Sequence, residues 1–405
     1  MPTIAHLDAD AFFVAVEQAL NPALRGKKVA VGGRERGIIA SASYEARACG
    51  VHTPMPTSQA LRLCPELILV SHANGMARYV EYSRKLFDLC ETLTPIVERR
   101  SIDEGYMDLA PCGLATAPAL TMAIRELQAR IQRTLGISVS FGLASNKLTA
   151  AIASKQHKPH GLTLVPPGNE SAYLAAFPIG TLPGIGKKTE NLLKSNGITR
   201  IRDLANHASP AQLQSLLGSH WHDFVAMARG EDTTAVLTEH EDAKSYSQQE
   251  TFPRDTADSA RILRTAKGML DALMPKIRAD GKRARTLTLK VRYPGMDNAT
   301  ATHSLPEATD LEAPFYPHIG TLLRTAWRRA RTPLRLVAIR LSGIENAAAT
   351  STQPRQLELF SEKATPPRPG DKPARQSARQ RQLAAVVDAI NARHGPSSLR
   401  HGHQL

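Results

Sequence analysis

Residues 6–18 read HLDADAFFVAVEQ. An apolar strand over Thr3–Leu7 meets two acids, Asp8 and Asp10, and then Phe12–Leu20, where apolar residues take helical spacing. The alternation continues outward from there. Lys28–Gly33 and Ile38–Ser41 predict strands around a charged turn, and Asn74–Leu93 and Ala117–Leu135 predict long helices. Between those helices, Ile96–Glu98 and Gly105–Leu109 predict two strands joined by a tight turn that holds Asp103 and Glu104. Ser138–Leu143 predicts a further strand. Residues 1–165 therefore predict an α+β layer with a mixed sheet.

Pro166-Pro167-Gly168 breaks the pattern. Residues 169–232 then predict short helices, and the polar stretch to 243 predicts a linker. Residues 244–345 return to α+β, with helices over Ala257–Ile277 and Tyr316–Arg329 and strands over Thr286–Tyr293 and Leu334–Leu341. Residues 346–381, rich in Ala, Thr, Pro, Gln and Arg, predict disorder, and Gln382–Ala392 a final helix.

The 405 residues are 42% hydrophobic and 22% charged, the balance of a globular protein. Lys and Arg number 51 against 37 Asp and Glu, a formal charge of +14 that favours a polyanionic partner, nucleic acid or an anionic membrane surface. Residues 261–345 hold 16 Lys and Arg against 7 Asp and Glu, a net of +9. No stretch approaches the ~20 apolar residues of a membrane span. The first residues lack the basic segment of a signal peptide. Cys49, Cys64, Cys90 and Cys112 form no C-x-x-C pair, so reduced thiols are expected rather than disulfides or structural zinc.

Three carboxylates stand out: Asp8 at a strand end, and Asp103 and Glu104 in a strand turn. Acids crowded at strand ends are costly unless cations neutralise them. Oxygen-only ligands suit Mg²⁺, and two such ions can activate a hydroxyl and stabilise a leaving pyrophosphate. Asp10 and Asp108 compete for the same roles, and the pattern does not decide between them. Phe12 and Phe13, being adjacent, point in different directions on a helix, so one can face the core and the other a site. Ser41, Tyr44 and Arg47 in SASYEAR combine a hydroxyl, a phenol and a guanidinium able to converge on a triphosphate, with Tyr44 and Arg47 on one helix face. Lys158 in HKPHG is a further phosphate ligand by type. Thr181–Ile198 carries a Gly184-Ile185-Gly186 hairpin that feeds a helix opening with Lys187 and Lys188. Such a turn matches the helix-hairpin-helix motif, whose backbone N–H groups form a phosphate nest that reads no bases, with a structural turn as the alternative. Gln356-Leu357-Glu358-Leu359-Phe360, exposed apolar residues in a polar tail, has the form of a docking peptide. His157/His160, His220/His222 and His401/His403 lack further ligands and are read as surface residues.

In this order the stretches HLDADAFFVAVEQ (6–18), ASASYEARACGV (40–51), SIDEGYMDL (101–109), FGLASNKLTAAIAS (141–154), KPHGL (158–162) and LPGIGKKT (182–189) resemble the Y-family translesion DNA polymerases. KSYSQQETF (244–252) and TLTLKVRY (286–293) extend the likeness over residues 1–345, closest to the DNA polymerase IV subfamily. The resemblance implies a multidomain α+β right hand: a ferredoxin-like palm over 1–10 and 75–165, small fingers over 11–74, a helical helix-hairpin-helix thumb over 166–232, a linker over 233–243 and an α+β little finger over 244–345. A tail over 346–405 would carry the docking peptide.

The resemblance further implies that Asp8, Asp103 and Glu104, with the Ala9 carbonyl, bind two Mg²⁺ ions, and that Glu104 takes the catalytic role. It implies that Phe13 is the steric gate against a ribose 2′-OH, and that Phe12, Phe13, Ser41, Tyr44, Arg47 and Lys158 contact the dNTP. Gly184, Gly186, Lys187 and Lys188 would hold the DNA backbone. Gln356, Leu357, Leu359 and Phe360 would bind a bacterial sliding clamp. The expected protein is an error-prone, cytoplasmic, monomeric polymerase without proofreading, working in DNA repair on primer–template DNA. The docking peptide departs from the subfamily, where it ends the chain. RQLAAVVDAINARHG (381–395) instead resembles the tail of the catalytic subunit of DNA polymerase V. Gly105 and Met107 also depart from the usual residues, without removing a ligand. The alternatives are a catalytically silent clamp-bound adaptor, against which the intact acids argue, and a helix-hairpin-helix DNA-binding scaffold or nuclease, against which Phe13 and the Tyr44/Arg47 pair argue.

Overall fold

A computed structural model describes residues 3–34, 36–71, 76–114, 116–238, 242–328, 332–347, 373–395 and 398–399. They fall into two units, Met1–His240 and Glu241–Leu405.

In the first unit β1 (Ile4–Ala9) leads through Ala11 into α1 (Phe12–Leu20), the helix its spacing predicts. The strand runs two residues further than Leu7, so Asp8 lies inside it. Four short strands follow: β2 (Val29–Gly32), β3 (Ile38–Ala42), β4 (Met55–Pro56) and β5 (Ile68–Val70). Two helices interrupt them, α2 (Tyr44–Ala48) and α3 (Thr57–Leu63). These strands form a small sheet in the order β4-β3-β2-β5, closed by its own core of Ala30, Ile39, Ala46, Met55 and Cys64. Strands of two or three residues are too short for a period-2 signal, so sequence finds only β2 and β3.

The main sheet completes around α4 (Ala77–Glu91), β6 (Val97–Arg99), β7 (Glu104–Asp108), α5 (Ala117–Leu135), β8 (Val139–Ala144), α6 (Lys147–Ser154) and β9 (Leu162–Leu164). Its order is β6-β7-β1-β8-β9. Glu104 begins β7 rather than sitting in the turn. The carbonyl of Glu104 accepts the Arg100 and Ser101 N–H groups, each at 3.0 Å, and so tightens the turn ahead of it. Helix α5 has the predicted bounds because each signal is local: Thr116 caps Ala119 N–H, Pro118 sits in the first turn, and Gly136 stops the helix at φ +69°. Leu7, Phe12, Val14, Phe87, Ile124, Ile131 and Phe141 share the core beneath the sheet.

Strand β8 and helix α6 meet at Gly142. A Cβ there would lie 2.1 Å from the Ala150 carbonyl oxygen and 2.5 Å from the Ser154 nitrogen. Backbone cannot swing aside as a side chain can, so Gly142→Ala is expected to cost about 3 kcal/mol or more, read as a lower denaturation midpoint.

Five helices build a third core: α7 (Glu170–Ala175), α8 (Lys187–Ser195), α9 (Ile201–Ala205), α10 (Pro210–Leu217) and α11 (Trp221–Ala228). Leu174, Ile179, Leu193, Leu204, Leu213 and Val225 fill it, and Leu148 and Ile152 of α6 join from the sheet side. The chain beyond α11 is tied back to the sheet. The Gly230 carbonyl accepts Asn146 Nδ2 at 2.8 Å, Asp232 accepts the Leu148 N–H at 2.9 Å, and the Leu237 N–H donates to buried Glu98 at 2.9 Å. The stretch expected as a linker from 233 is therefore anchored as far as Leu237.

The second unit consists of β10 (Ser245–Thr256), α12 (Ser259–Ala279), β11 (Lys282–Arg292), β12 (Asn298–Thr309), α13 (Tyr316–Ala326), β13 (Leu334–Asn346) and α14 (Pro373–His394). All neighbours pair antiparallel in the order β10-β13-β11-β12. Helices α12 and α13 cover one face, with Leu270, Met274, Leu287, Leu289, Phe315 and Ile339 between. The outer strands β10 and β12 are polar over most of their length, which conceals them in the sequence. Helix α14 starts at Pro373, so 373–381, expected to be disordered, are helical. Asp388 on it accepts from Arg278 at 2.7 Å. Residues 356–360 lie outside the described residues. All four cysteines are free thiols.

Candidate active site

Strands β1, β7 and β8 bring the acids together. Asp8 faces Glu104 across the β1/β7 ladder and Ser140 across β1/β8. The Ala9 N–H donates to the Asp103 carbonyl at 2.9 Å, fixing the turn against the strand end. Asp8 is mostly enclosed, while Asp103 and Glu104 are half-buried. Asp108 stands at the opposite end of β7, opposite Ile4, and accepts the Ala110 N–H at 2.9 Å. Four residues of strand separate it from Glu104, about 13 Å, so it takes no part in this site.

Each acid has its own polar partner, a lysine for Asp8 and Glu104 and a hydroxyl for Asp103. Lys158 Nζ donates to Asp8 Oδ1 at 2.5 Å and to the Ala9 carbonyl at 3.2 Å. The Ser101 hydroxyl donates to Asp103 at 2.6 Å while its oxygen accepts the Asp103 and Glu104 N–H groups. Lys155 lies 3.8 Å from Glu104 Oε2. Burial raises the Asp8 carboxyl above the usual carboxylate range, and Asp103 adds to this, against the pull of Lys158 and Lys155. Among the described residues no three Asp, Glu, His or Cys side chains close around one point as a metal cage does. Like charges do not converge without a cation between them. The donors nonetheless fit a hard divalent ion: all are oxygens, and an ammonium already rests on Asp8 and the Ala9 carbonyl. His6, beside Asp8 on β1, is buried against Ser154 Oγ at 2.8 Å; burial, then Lys155 and Lys158, pushes it down to about 3, so it stays neutral.

Ala11 turns the chain from β1 into α1 with φ +49°, a left-handed conformation unusual for alanine, and no side chain caps the helix start. The Phe12 ring is in the core. Phe13 is half-buried, its ring 4.5 Å from that of Tyr79. The Tyr79 hydroxyl donates to buried Glu17 at 2.7 Å, and Arg78 holds both Glu17 oxygens at 3.1 Å.

Ser41 is buried on β3. Ser43 caps α2 through the Ala46 N–H. Tyr44 and Arg47 share a face, as their spacing predicts, with the guanidinium 4.8 Å from the ring centre and Arg47 Nε donating to the Ala42 carbonyl at 3.0 Å. The Tyr44 hydroxyl reaches Asp10 at 3.5 Å, and burial first, then Asp10, raises the phenol. The structure thus gathers Asp8, Asp103, Glu104, Tyr44, Arg47 and Lys158. It adds three residues that sequence reading passed over, Ser138, Ser140 and Lys155, and gives Asp10 the place that reading left open; His160, read as a surface residue, is exposed and contributes only its backbone N–H.

Gly184, Gly186, Lys187 and Lys188 lie apart from this group, on the exposed turn and first turn of α8 outside the third core, into which only Ile185 of the turn is buried. Gly184 has φ +87°, and Gly186 starts α8 with no side-chain cap. Lys187 is exposed and 3.4 Å from Glu190, whose carboxyl is lowered first by its bond to Lys194.

Residues 7–155 match the impB/mucB/samB family, and residues 243–359 match the C-terminal domain of the same family. A DNA polymerase IV of Opitutus terrae is 53% identical over 100% of this chain and 98% of its own length. One from Streptomyces coelicolor is 37% identical over 90% of this chain and 74% of its own. Among solved structures, the Y-family DNA polymerase chimera Dbh-Dpo4(243-245)-Dbh matches with a TM-score of 0.77 at 25% identity, covering 85% of this chain and 99% of that one. The insertion ternary complex of Dbh DNA polymerase matches with a TM-score of 0.59 over the same shares. The Y-family as a whole depends on divalent metal. With acids on adjoining strands, a helix-hairpin-helix and a second α+β unit in the matched order, the chain belongs to the Y-family DNA polymerases, in the DNA polymerase IV group.

Proposed function

We infer that this chain extends a DNA primer along a template, including past damaged bases, by nucleotidyl transfer from a dNTP to the primer 3′-OH. The observation that carries the reading is the register of Asp8 against Glu104, with Asp103 beside them, at the rim of the main sheet. Asp8, Asp103, Glu104 and the Ala9 carbonyl would hold two Mg²⁺ ions, which supply a more acidic 3′-OH and neutralise charge on the departing pyrophosphate. The catalytic role goes to Glu104 as a ligand more than as a proton acceptor.

The chain's own residues bind and orient. Arg47, Lys158, Tyr44 and Ser41 take the triphosphate, and the uncapped N-terminus of α1 offers the Phe12 and Phe13 N–H groups to it. The Phe12 ring, being in the core, contributes through its backbone alone. Phe13 closes the space beside the sugar C2′ against a hydroxyl. Positioning and charge neutralisation are most of the catalysis in phosphoryl transfer. In this reading the main sheet is the palm, the small sheet the fingers, the third core the thumb and the second unit the little finger. The descriptions of the Dbh complexes support DNA and nucleotide as partners.

We also propose a sliding clamp bound through 356–360, a monomer, and a cytoplasmic location. Among the described residues no helix is long and apolar enough to cross a membrane. Single-nucleotide primer extension with Mg²⁺ tests the reading. Incorporation opposite the templating base supports it, and none by folded, DNA-binding protein overturns it. The thumb assignment has its own test. Lys187→Glu/Lys188→Glu should weaken primer–template binding on all sequences alike, and lower the slope of log K against log[salt] by about 1 per lost phosphate contact. A salt slope equal to wild type would place the DNA elsewhere.

A further inference from the structure

None of the roles above uses Asp10, yet its side chain is 1% exposed against 14% for Asp8. Its two oxygens face five donors. Oδ1 accepts the Ser140 hydroxyl at 2.8 Å and faces the Tyr44 hydroxyl at 3.5 Å and the Lys158 ammonium at 3.6 Å. Oδ2 accepts the Ser138 hydroxyl at 2.6 Å and the His160 backbone N–H at 2.8 Å. The donors come from β8 and the residue before it, from the turn 158–161, and from α2. One carboxylate thus joins three separate segments.

We propose that Asp10 is a positioning residue that sets where Lys158 and Tyr44 meet the incoming triphosphate, and is not a metal ligand. This rests on reading Lys158 and Tyr44 as triphosphate contacts. Both oxygens are already committed. Ser140 Oγ accepts the Gly161 N–H at 3.0 Å, so its own proton points to Asp10. The His160 N–H has no other acceptor among the described bonds, and His160 is held at φ +57°, left-handed for a residue with a Cβ. Swinging Asp10 toward a cation would strip these donors in a buried place, where unmade bonds are expensive. Lys158 lies between two carboxylates. When Asp8 serves as a ligand, Asp10 is the counter-charge that stays, so the ammonium remains in the site to meet phosphate.

Asp10→Asn isolates this role because it keeps shape and loses acceptors. In either orientation its NH₂ confronts a donor: His160 N–H on one side, the committed Ser140 hydroxyl on the other. The dNTP affinity of the polymerase–primer–template complex is measured in Ca²⁺ without turnover, alongside kcat and KM in Mg²⁺, for Asp10→Asn, Lys158→Ala and the double variant. Asp10→Asn should weaken dNTP binding about tenfold or more and leave DNA affinity within about twofold. The double variant should bind dNTP worse than Lys158→Ala by clearly less than the Asp10→Asn loss, by only the share that passes through Tyr44, because Asp10 acts on the triphosphate through these two residues. Independent, multiplying losses would overturn the proposal, as would unchanged dNTP affinity with lost turnover. Should Asp10→Asn fail to fold, Ser138→Ala removes a single bond to the carboxylate and should weaken dNTP binding about threefold, again adding clearly less than that loss to Lys158→Ala. Wild type that binds primer–template but no dNTP would sink the polymerase reading itself. Wild type that binds dNTP normally, with Asp10→Asn unchanged, sinks only the positioning role.

Discussion

Asp103→Asn and Glu104→Gln are each expected to lower single-nucleotide extension by about 10³-fold or more, with the melting temperature and DNA affinity near wild type. The two expectations have one cause. In the proposed reading a carboxylate at this rim acts where charge develops during transfer, and groups aimed at such charge carry the largest single share of catalysis. The same carboxylate does little for folding. Asp103 and Glu104 are half-buried, and Asp103 adds to the burial that already raises the Asp8 carboxyl. Removing a negative charge there relieves repulsion while losing one bond from Ser101. Extension kinetics beside thermal melts separate the effects. Full turnover in Glu104→Gln would move the catalytic role to Asp8 and Asp103. A parallel fall in turnover and melting temperature would mark the acid as structural.

Phe13→Val should reduce the preference for dNTP over rNTP, as a ratio of kcat/KM values, by about 10²-fold. An apolar wall discriminates against an added hydroxyl only by excluding it, so the effect depends on how firmly the wall is held. Here it is backed in layers. The Phe13 ring rests on Tyr79, the Tyr79 hydroxyl is fixed by Glu17, and Arg78 neutralises Glu17 inside the core. Truncation to Val opens space beside the sugar without loosening that support. Because the ring is only half-buried, the stability cost should be about 1–2 kcal/mol, below that of a core phenylalanine. An unchanged sugar preference would show that the ribose is read by another group.

Much of this was legible from residue order. Helix α5 ends where its Thr116 cap, periodicity and Gly136 say, and α1 follows its periodicity alone, since those signals act within a few turns of chain. The i, i+3 pairing of Tyr44 and Arg47 is likewise local geometry. The misses were non-local. Strands β10 and β12 carry polar residues along most of their length and are strands because β13 and β11 pair with them. Glu104 looked like a turn residue because an acid before glycine is turn-like, whereas its register with Asp8 makes it a strand residue.

The amino-acid sequence by itself determined the inventory: which carboxylates, cations, adjacent aromatics and hairpin glycines are present, and in what order. These follow from residue type and short spacing. Only the tertiary structure decided how differently the acids are surrounded. Asp8 and Asp10 are two residues apart and chemically identical. One faces Lys158 and the open rim, and the other is enclosed by donors from Ser138, Ser140 and His160, about 130 to 150 residues away in sequence. A carboxylate's role is set by the donors and dielectric around it, and those are assembled only when β1, β8 and the 158–161 turn come together.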